Sequence, residues 1–389
     1  MAPAALPTDR RKAVATALRQ KRQVEELEQH VQWLIPNSDH VRSRLCRQLH
    51  PWVDRLFQEN QMSKWAGKAR ADTYSAEEFA KASGRLRDYF WTEILGKLEK
   101  PTVEMRPRTR KNRETKKWAA YDVVLDVWPE VFAWGMLAVP KDLEPGEKRP
   151  VVVVQHGHSG LPDHLFSNVP GEGAYSAYQG TGADLADRGF IVFSPHNLYG
   201  GGDRFRYLNK KANLVKGTLF SVILAQHQQI LNWLKTLSFV DAKRIGFYGL
   251  SYGGETAVRV PPILTDYSLS ICSADFNDWT RKVATCHDRY SFMFHGEWEM
   301  SYFNMGSTFS YAEMVYLMIP RPFMAERGHH DTVSDDSWAA MEYSKIRWMY
   351  DQLDIGDRTE IEFHNGGHTM QKRGTFEFLH KHLNWPTPK

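Results

Sequence analysis

The stretch from Arg244 to Gly254, RIGFYGLSYGG, constrains the fold more tightly than any other part of this chain. Its first half is apolar and reads as a buried strand, and Glu255 to Val258 beyond it reads as the start of a helix. Between them stands Gly249-Leu-Ser-Tyr-Gly253, the G-x-S-x-G pattern of a strand-to-helix turn. In such a turn the serine hydroxyl is lifted clear of the backbone, and glycines let neighbouring segments pass close by. Ser251 is therefore the expected nucleophile. The competing explanation is a glycine-rich turn that contains a serine by chance, and the strand and helix on either side argue against it.

A serine nucleophile needs a histidine base and a carboxylate to orient it, expected here in the chain order Ser, acid, His. Ile319 to Arg327 reads as a strand that ends at Gly328-His-His-Asp331, which puts Asp331 on a strand-end loop. Thr359 to Phe363 alternates like a half-buried strand and breaks at Asn365-Gly-Gly367, just before His368. Two rivals remain open. His364 falls in the strand-like part, where side chains more often pack. Asp275 follows the apolar run Leu269 to Ala274 and is a second candidate acid. Asp335 and Asp336 read as solvated residues at the start of a helix from Ser337 onwards.

The oxyanion formed on attack needs two aimed N–H donors. Tyr252, next to the nucleophile, offers one. Pro150 to Gln155 is the most plainly buried strand, and it runs into His156-Gly-His158, where the His158 amide offers the other. The many histidines also invite a metal reading, yet neither H-E-x-x-H nor paired C-x-x-C is present, so no metal is expected. Tyr199-Gly-Gly-Gly-Asp203 reads as a mobile loop, with Arg204 and Arg206 as candidates to hold a substrate carboxylate or as plain solvated charges. Trp279 and Trp298 flank a poorly patterned stretch. They are candidate walls of an acyl or sugar pocket, with core packing as the alternative.

These residues carry a resemblance. His156-Gly157 after a strand, Arg244-Ile245-Gly246 leading into the serine turn, Gly328-x-x-Asp331-x-x-Ser334, and Gly367-His368 followed by Gly374 to Leu379 are together similar to the α/β-hydrolase superfamily, in particular its dienelactone hydrolase and acetyl xylan esterase-like branch. The resemblance covers roughly residues 120 to 385. It implies an α/β-hydrolase fold, a mostly parallel doubly wound sheet flanked by helices. It also implies a serine esterase with no cofactor, acting on a small-molecule ester through Ser251, Asp331 and His368. Two features depart from the minimal dienelactone hydrolase pattern: a long amino-terminal extension, and serine where the true dienelactone enzymes have cysteine. A serine peptidase of the oligopeptidase kind, a carbon–carbon bond hydrolase with the same triad, and an inactive binding module remain as alternatives.

With 389 residues, 42% of them hydrophobic, the chain can bury a large core and carry an appended piece. The first hundred residues read as helical. Asp9 to Leu34 has apolar residues at helical spacing, and Ser75-Ala-Glu-Glu78 is a capping box that opens a helix carrying Phe79, Leu86, Phe90 and Ile94, stopped by Pro101. The expected organisation is a helical extension over 1–115, acting as a lid or a subunit interface, and a catalytic domain over 116–389. Charge divides in the same way. Residues 1–117 hold 25 Lys and Arg against 15 Asp and Glu, while the remainder is net acidic. The dense basic run Arg106 to Lys117 suits an exposed strand edge better than a nucleic-acid surface, because no aromatic platform is interleaved with it. Three widely spaced cysteines, Cys46, Cys272 and Cys286, argue against a disulfide framework. With no leader-like or membrane-length apolar run either, a cytoplasmic protein with neither nucleic-acid nor membrane partner is expected.

Overall fold

The computed structural model describes residues 75–388, apart from 173, 285–287, 294 and 306–307, together with 22, 25 and 26. The helix expected over Asp9 to Leu34 therefore lies almost wholly outside the described residues, as do Cys46 and Cys286.

Nine strands form one sheet in the order β1-β2-β3-β5-β4-β6-β7-β8-β9. They are β1 Arg108–Glu114, β2 Trp118–Trp128, β3 Val131–Pro140, β4 Arg149–Gln155, β5 Ile191–Pro195, β6 Val240–Leu250, β7 Leu269–Ser273, β8 Phe323–Gly328 and β9 Thr359–His364. The strands β1, β2 and β3 pair antiparallel, as does β3 with β5, and every pairing from β5 through to β9 is parallel. A parallel strand covered on both faces must be apolar throughout, and β4, β5 and β7 are buried at every position. The basic run lies on the edge strand β1, whose residues are nearly all exposed.

Helices cover both faces. On one, Leu219–Leu234 and Asp336–Gln352 pack against the sheet with Leu125, Leu137, Phe193 and Phe247. On the other, Thr181–Asp187 and Arg373–His382 pack on Val152, Val154, Tyr248 and Leu250. The one helix expected after the Ser75 capping box is two, and both belong to the first face. Ala76–Ala82 begins at Ser75, whose side chain and that of Glu78 form the reciprocal capping box. Gly84–Tyr89 follows and continues as a π-turn over Phe90–Leu95. Phe79, Leu86, Phe90 and Ile94 are buried in the main core, and the Leu95 carbonyl accepts from the hydroxyls of Thr218 and Ser221. The stop is Gly96, at φ +82, five residues before Pro101. The sheet itself starts at Arg108, before the boundary expected at 115.

Candidate active site

All the chemistry-bearing loops leave the carboxyl ends of parallel strands, where open α/β sheets place their sites. Ser251 directly follows β6 and stands at φ +59, ψ −120, with Tyr252–Ala257 beginning a helix behind it. That strained turn is enforced by close packing. A Cβ at Gly249 would overlap the Gly253 backbone, and one at Gly253 would overlap the Gln155 carbonyl at the end of β4. The Ser251 amide donates to the Ser273 carbonyl at 2.9 Å, and its carbonyl accepts from the Glu255 amide at 2.7 Å, fixing the turn on both sides.

The β4 loop is pressed onto this turn. A Cβ on Gly157 would sit 2.9 Å from Ser251 Cβ and 3.5 Å from its Oγ. The His158 ring lies 5.9 Å from that of Tyr252. The loop is held by its neighbours: the Gly157 amide donates to Tyr178 OH at 2.9 Å and the Ser159 amide to the Tyr199 carbonyl at 2.7 Å. His156 is completely buried. Its Nε2 accepts from the Asn197 amide at 3.2 Å, which leaves Nδ1–H to donate to the Gly157 carbonyl at 2.8 Å. Burial pushes this imidazole down to about 3.

Asp331 and His368 are brought together, with His368 Nδ1 2.9 Å from Asp331 Oδ2. Burial resists ionisation of Asp331, yet the hydrogen bond and charge of His368, the Val333 amide and the Arg327 guanidinium outweigh it and keep the carboxyl below its usual range. The rival Asp275 is bonded instead by Tyr311 OH at 2.6 Å, and burial raises its affinity for a proton. His364 is buried against Gly328 and Gly366. Asp335 caps the helix from Asp336 through Ser337 N at 2.8 Å, while Asp336 pairs with Arg327 and His329. Among the described residues no group of three or more His, Cys, Asp or Glu is placed to hold a metal ion.

Several supporting groups escaped the sequence reading. Arg327, 2% exposed, donates to the carbonyls of Asp331 and Ser334 and to the Asp336 carboxylate, clamping the acid loop. Lys282 donates to the Val333 carbonyl from the other side, and burial lowers it to about 8. Glu326, at the end of β8, accepts from Tyr248 OH at 2.9 Å, Ser273 OH at 2.5 Å and the Gln371 amide at 3.0 Å, tying three strands to the His368 loop. Beside the nucleophile, Tyr252 OH is hydrogen-bonded to both Glu297 and Glu299, and the buried Arg206 pairs with the same two carboxylates. Burial, reinforced by Glu297, raises Glu299 to about 7.

Two expectations need correction. Arg204 and Arg206 do not lie on the glycine loop but open the helix Arg204–Asn213; Arg204 is exposed, and it is Arg206 that reaches the site's buried charges. Trp279 is 1% exposed, with its ring 5.5 Å from Tyr302 and 5.3 Å from the buried Arg259 guanidinium, so it is a core residue and not a pocket wall. Trp298 sits in the turn Trp298–Met300, and its side chain lies outside those described.

This sheet, with its serine turn, is an α/β-hydrolase fold. A glucuronoyl esterase from Teredinibacter turnerae superposes with a TM-score of 0.61 at 16% identity, covering 81% of this chain and 86% of that one. A glucuronoyl esterase from Solibacter usitatus gives 0.56 at 14%, over 80% and 95%. An acetyl xylan esterase from a Paenibacillus species gives 0.52 at 16%, over 81% and 95%. The model of the prolyl oligopeptidase family matches residues 179–385, more than half of the sequence, and the chain belongs to that family.

Proposed function

We propose that the protein is a serine hydrolase of carboxylic esters, with a carbohydrate ester as substrate class. The observation that carries the reading is the Asp331–His368 hydrogen bond, made at the strand ends that also present Ser251 and the Gly157 loop. In this mechanism Ser251 Oγ attacks the ester carbonyl as His368 Nε2 takes its proton. Asp331 holds the imidazole with Nδ1–H towards the carboxylate and stabilises the imidazolium that forms. The amides of Tyr252 and His158 receive the oxyanion, the latter held between two anchored amides. Collapse expels the alcohol with a proton from His368 and leaves an acyl-enzyme. A water activated by His368 then releases the acid and restores Ser251. No cofactor is required.

The sugar-ester class rests on the names of the similar structures described above, glucuronoyl and acetyl xylan esterases. Family membership favours a second reading, peptide hydrolysis by the same groups. A fluorophosphonate probe tests the nucleophile, with labelling expected on wild type and absent from Ser251→Ala. Label retained in that variant would reject Ser251. Parallel assays on acetylated saccharides and on peptides separate the two substrate classes. No helix among the described residues is long and apolar enough to cross a membrane, and the free, buried Cys272 accords with the proposed cytoplasmic setting. Phe79, Leu86, Phe90, Ile94 and Leu95 pack in the main core, and the role of lid or subunit interface is proposed for the segment before Ser75.

A further inference from the structure

A cleft of about 460 Å³ lies over the antiparallel end of the sheet, lined by Arg108, Arg110, Asn112, Trp134, Leu161 and Asp163 among others. Strand register builds its floor. Arg108 faces Val124, which faces Trp134; next to them Arg110 faces Asp122, which faces Met136. These six therefore point to one side of the sheet. Asn112, two residues beyond Arg110 and within the bulge between Lys111 and Arg113, donates from its amide to Asp122 at 3.1 Å. The result is a half-buried indole ringed by planar polar side chains.

Two links join this cleft to the serine turn. Leu161 and Asp163 follow the His158 loop directly, and Arg113 reaches Asp163 across 3.8 Å. The Trp134 ring lies 5.2 Å from His196, which stacks at 5.3 Å on His156, the residue before Gly157. Three strand spacings separate β3 from β6, about 14 Å in all, so only an extended substrate reaches both places. The charges in the cleft are matched: Arg108 pairs with Asp126 at 2.6 Å and Arg110 with Asp122 at 2.8 Å. A cleft so balanced suits hydroxyl groups rather than a net anion, and an indole offers a flat apolar face to the C–H side of a pyranose ring.

We propose that this cleft is a subsite for a neutral oligosaccharide, holding the distal sugars of a chain whose ester bond lies at Ser251. The substrate part of this assignment rests on the esterase reading; the saccharide binding does not. The test uses the full chain with xylohexaose, acetylated xylohexaose and p-nitrophenyl acetate. Calorimetry on Ser251→Ala is expected to show xylohexaose binding, weakened about tenfold by adding Trp134→Ala, the loss of one aromatic contact, and restored in part by Trp134→Phe. In the otherwise native protein Trp134→Ala is expected to raise KM for the acetylated chain by about the same factor at unchanged kcat, leaving the aryl ester unaffected. The assignment is overturned by any of three results: xylohexaose does not bind, its affinity ignores Trp134, or Trp134→Ala slows both esters alike. If no ester is turned over while saccharide binding still depends on Trp134, the hydrolase reading falls and the subsite stands.

Discussion

Exchanging Asp331 for Asn keeps its size but reverses one hydrogen-bonding role, so the His368 imidazole is offered the wrong tautomer. A loss of about 10⁴-fold in kcat with little change in KM is expected, measured on a small aryl ester. A loss below tenfold would transfer the role to another carboxylate, with Asp275 next in line. The neighbouring network makes a different prediction. Arg206→Ala removes the guanidinium shared by the half-buried Glu297 and the buried Glu299. Unpaired buried charge is costly, so a loss of about 3 kcal/mol is expected at pH 8. Because Glu299 holds its proton up to about 7, the loss should shrink at pH 5, where one carboxyl is neutral. Equal losses at both pH values, by urea unfolding, would dismiss the network as a surface feature.

At the scale of elements, the serine turn is a junction of three chain segments rather than a local motif. Gly253→Ala forces a methyl against the Gln155 carbonyl, and the strand and helix it joins cannot separate without breaking the sheet. The expected outcome is loss of turnover together with a fall of several degrees in Tm, read by calorimetry; an active variant of native Tm would refute the packing argument. The same junction explains what could be foreseen. The strands β4 through β7 were legible because a strand buried on both faces has no polar alternation to confuse it. Ser251, Asp331 and His368 were visible as strand-end residues beside glycines. Other features were not visible, because they depend on tertiary neighbours. The strand expected from Ile319 begins only at Phe323, since the carbonyls of Pro320 and Arg321 are taken by Arg358 and Tyr350. Arg206, Arg327 and Glu326 look like surface charges in a string of letters, and no spacing rule says that each is buried opposite a partner. Trp279 looked like a pocket wall because its cage, Arg259 with Tyr302, comes from distant segments.

For the molecule as a whole, buried titratable groups set opposing slopes of stability against pH. Glu326 is raised by burial from 4.5 to about 7, so the folded state retains a proton the unfolded chain has given up. Its contribution is full below pH 4.5 and fades as pH rises through 7. His156 and His227 are lowered by burial from 6.5 to about 3; their contributions are full above pH 6.5 and are lost as pH falls towards 3. Glu326→Gln mimics the protonated acid. Relative to wild type it should gain on the order of 3 kcal/mol between pH 5 and pH 8 in urea unfolding. Parallel curves for the two proteins would contradict the raised value.

The neutral imidazole of His156 has one more effect. Between its two backbone partners it takes up no proton until conditions are strongly acidic, so the wall beside Ser251 keeps these two hydrogen bonds from neutral pH down towards pH 3. An acid limb of the rate profile near neutrality would therefore not come from this ring.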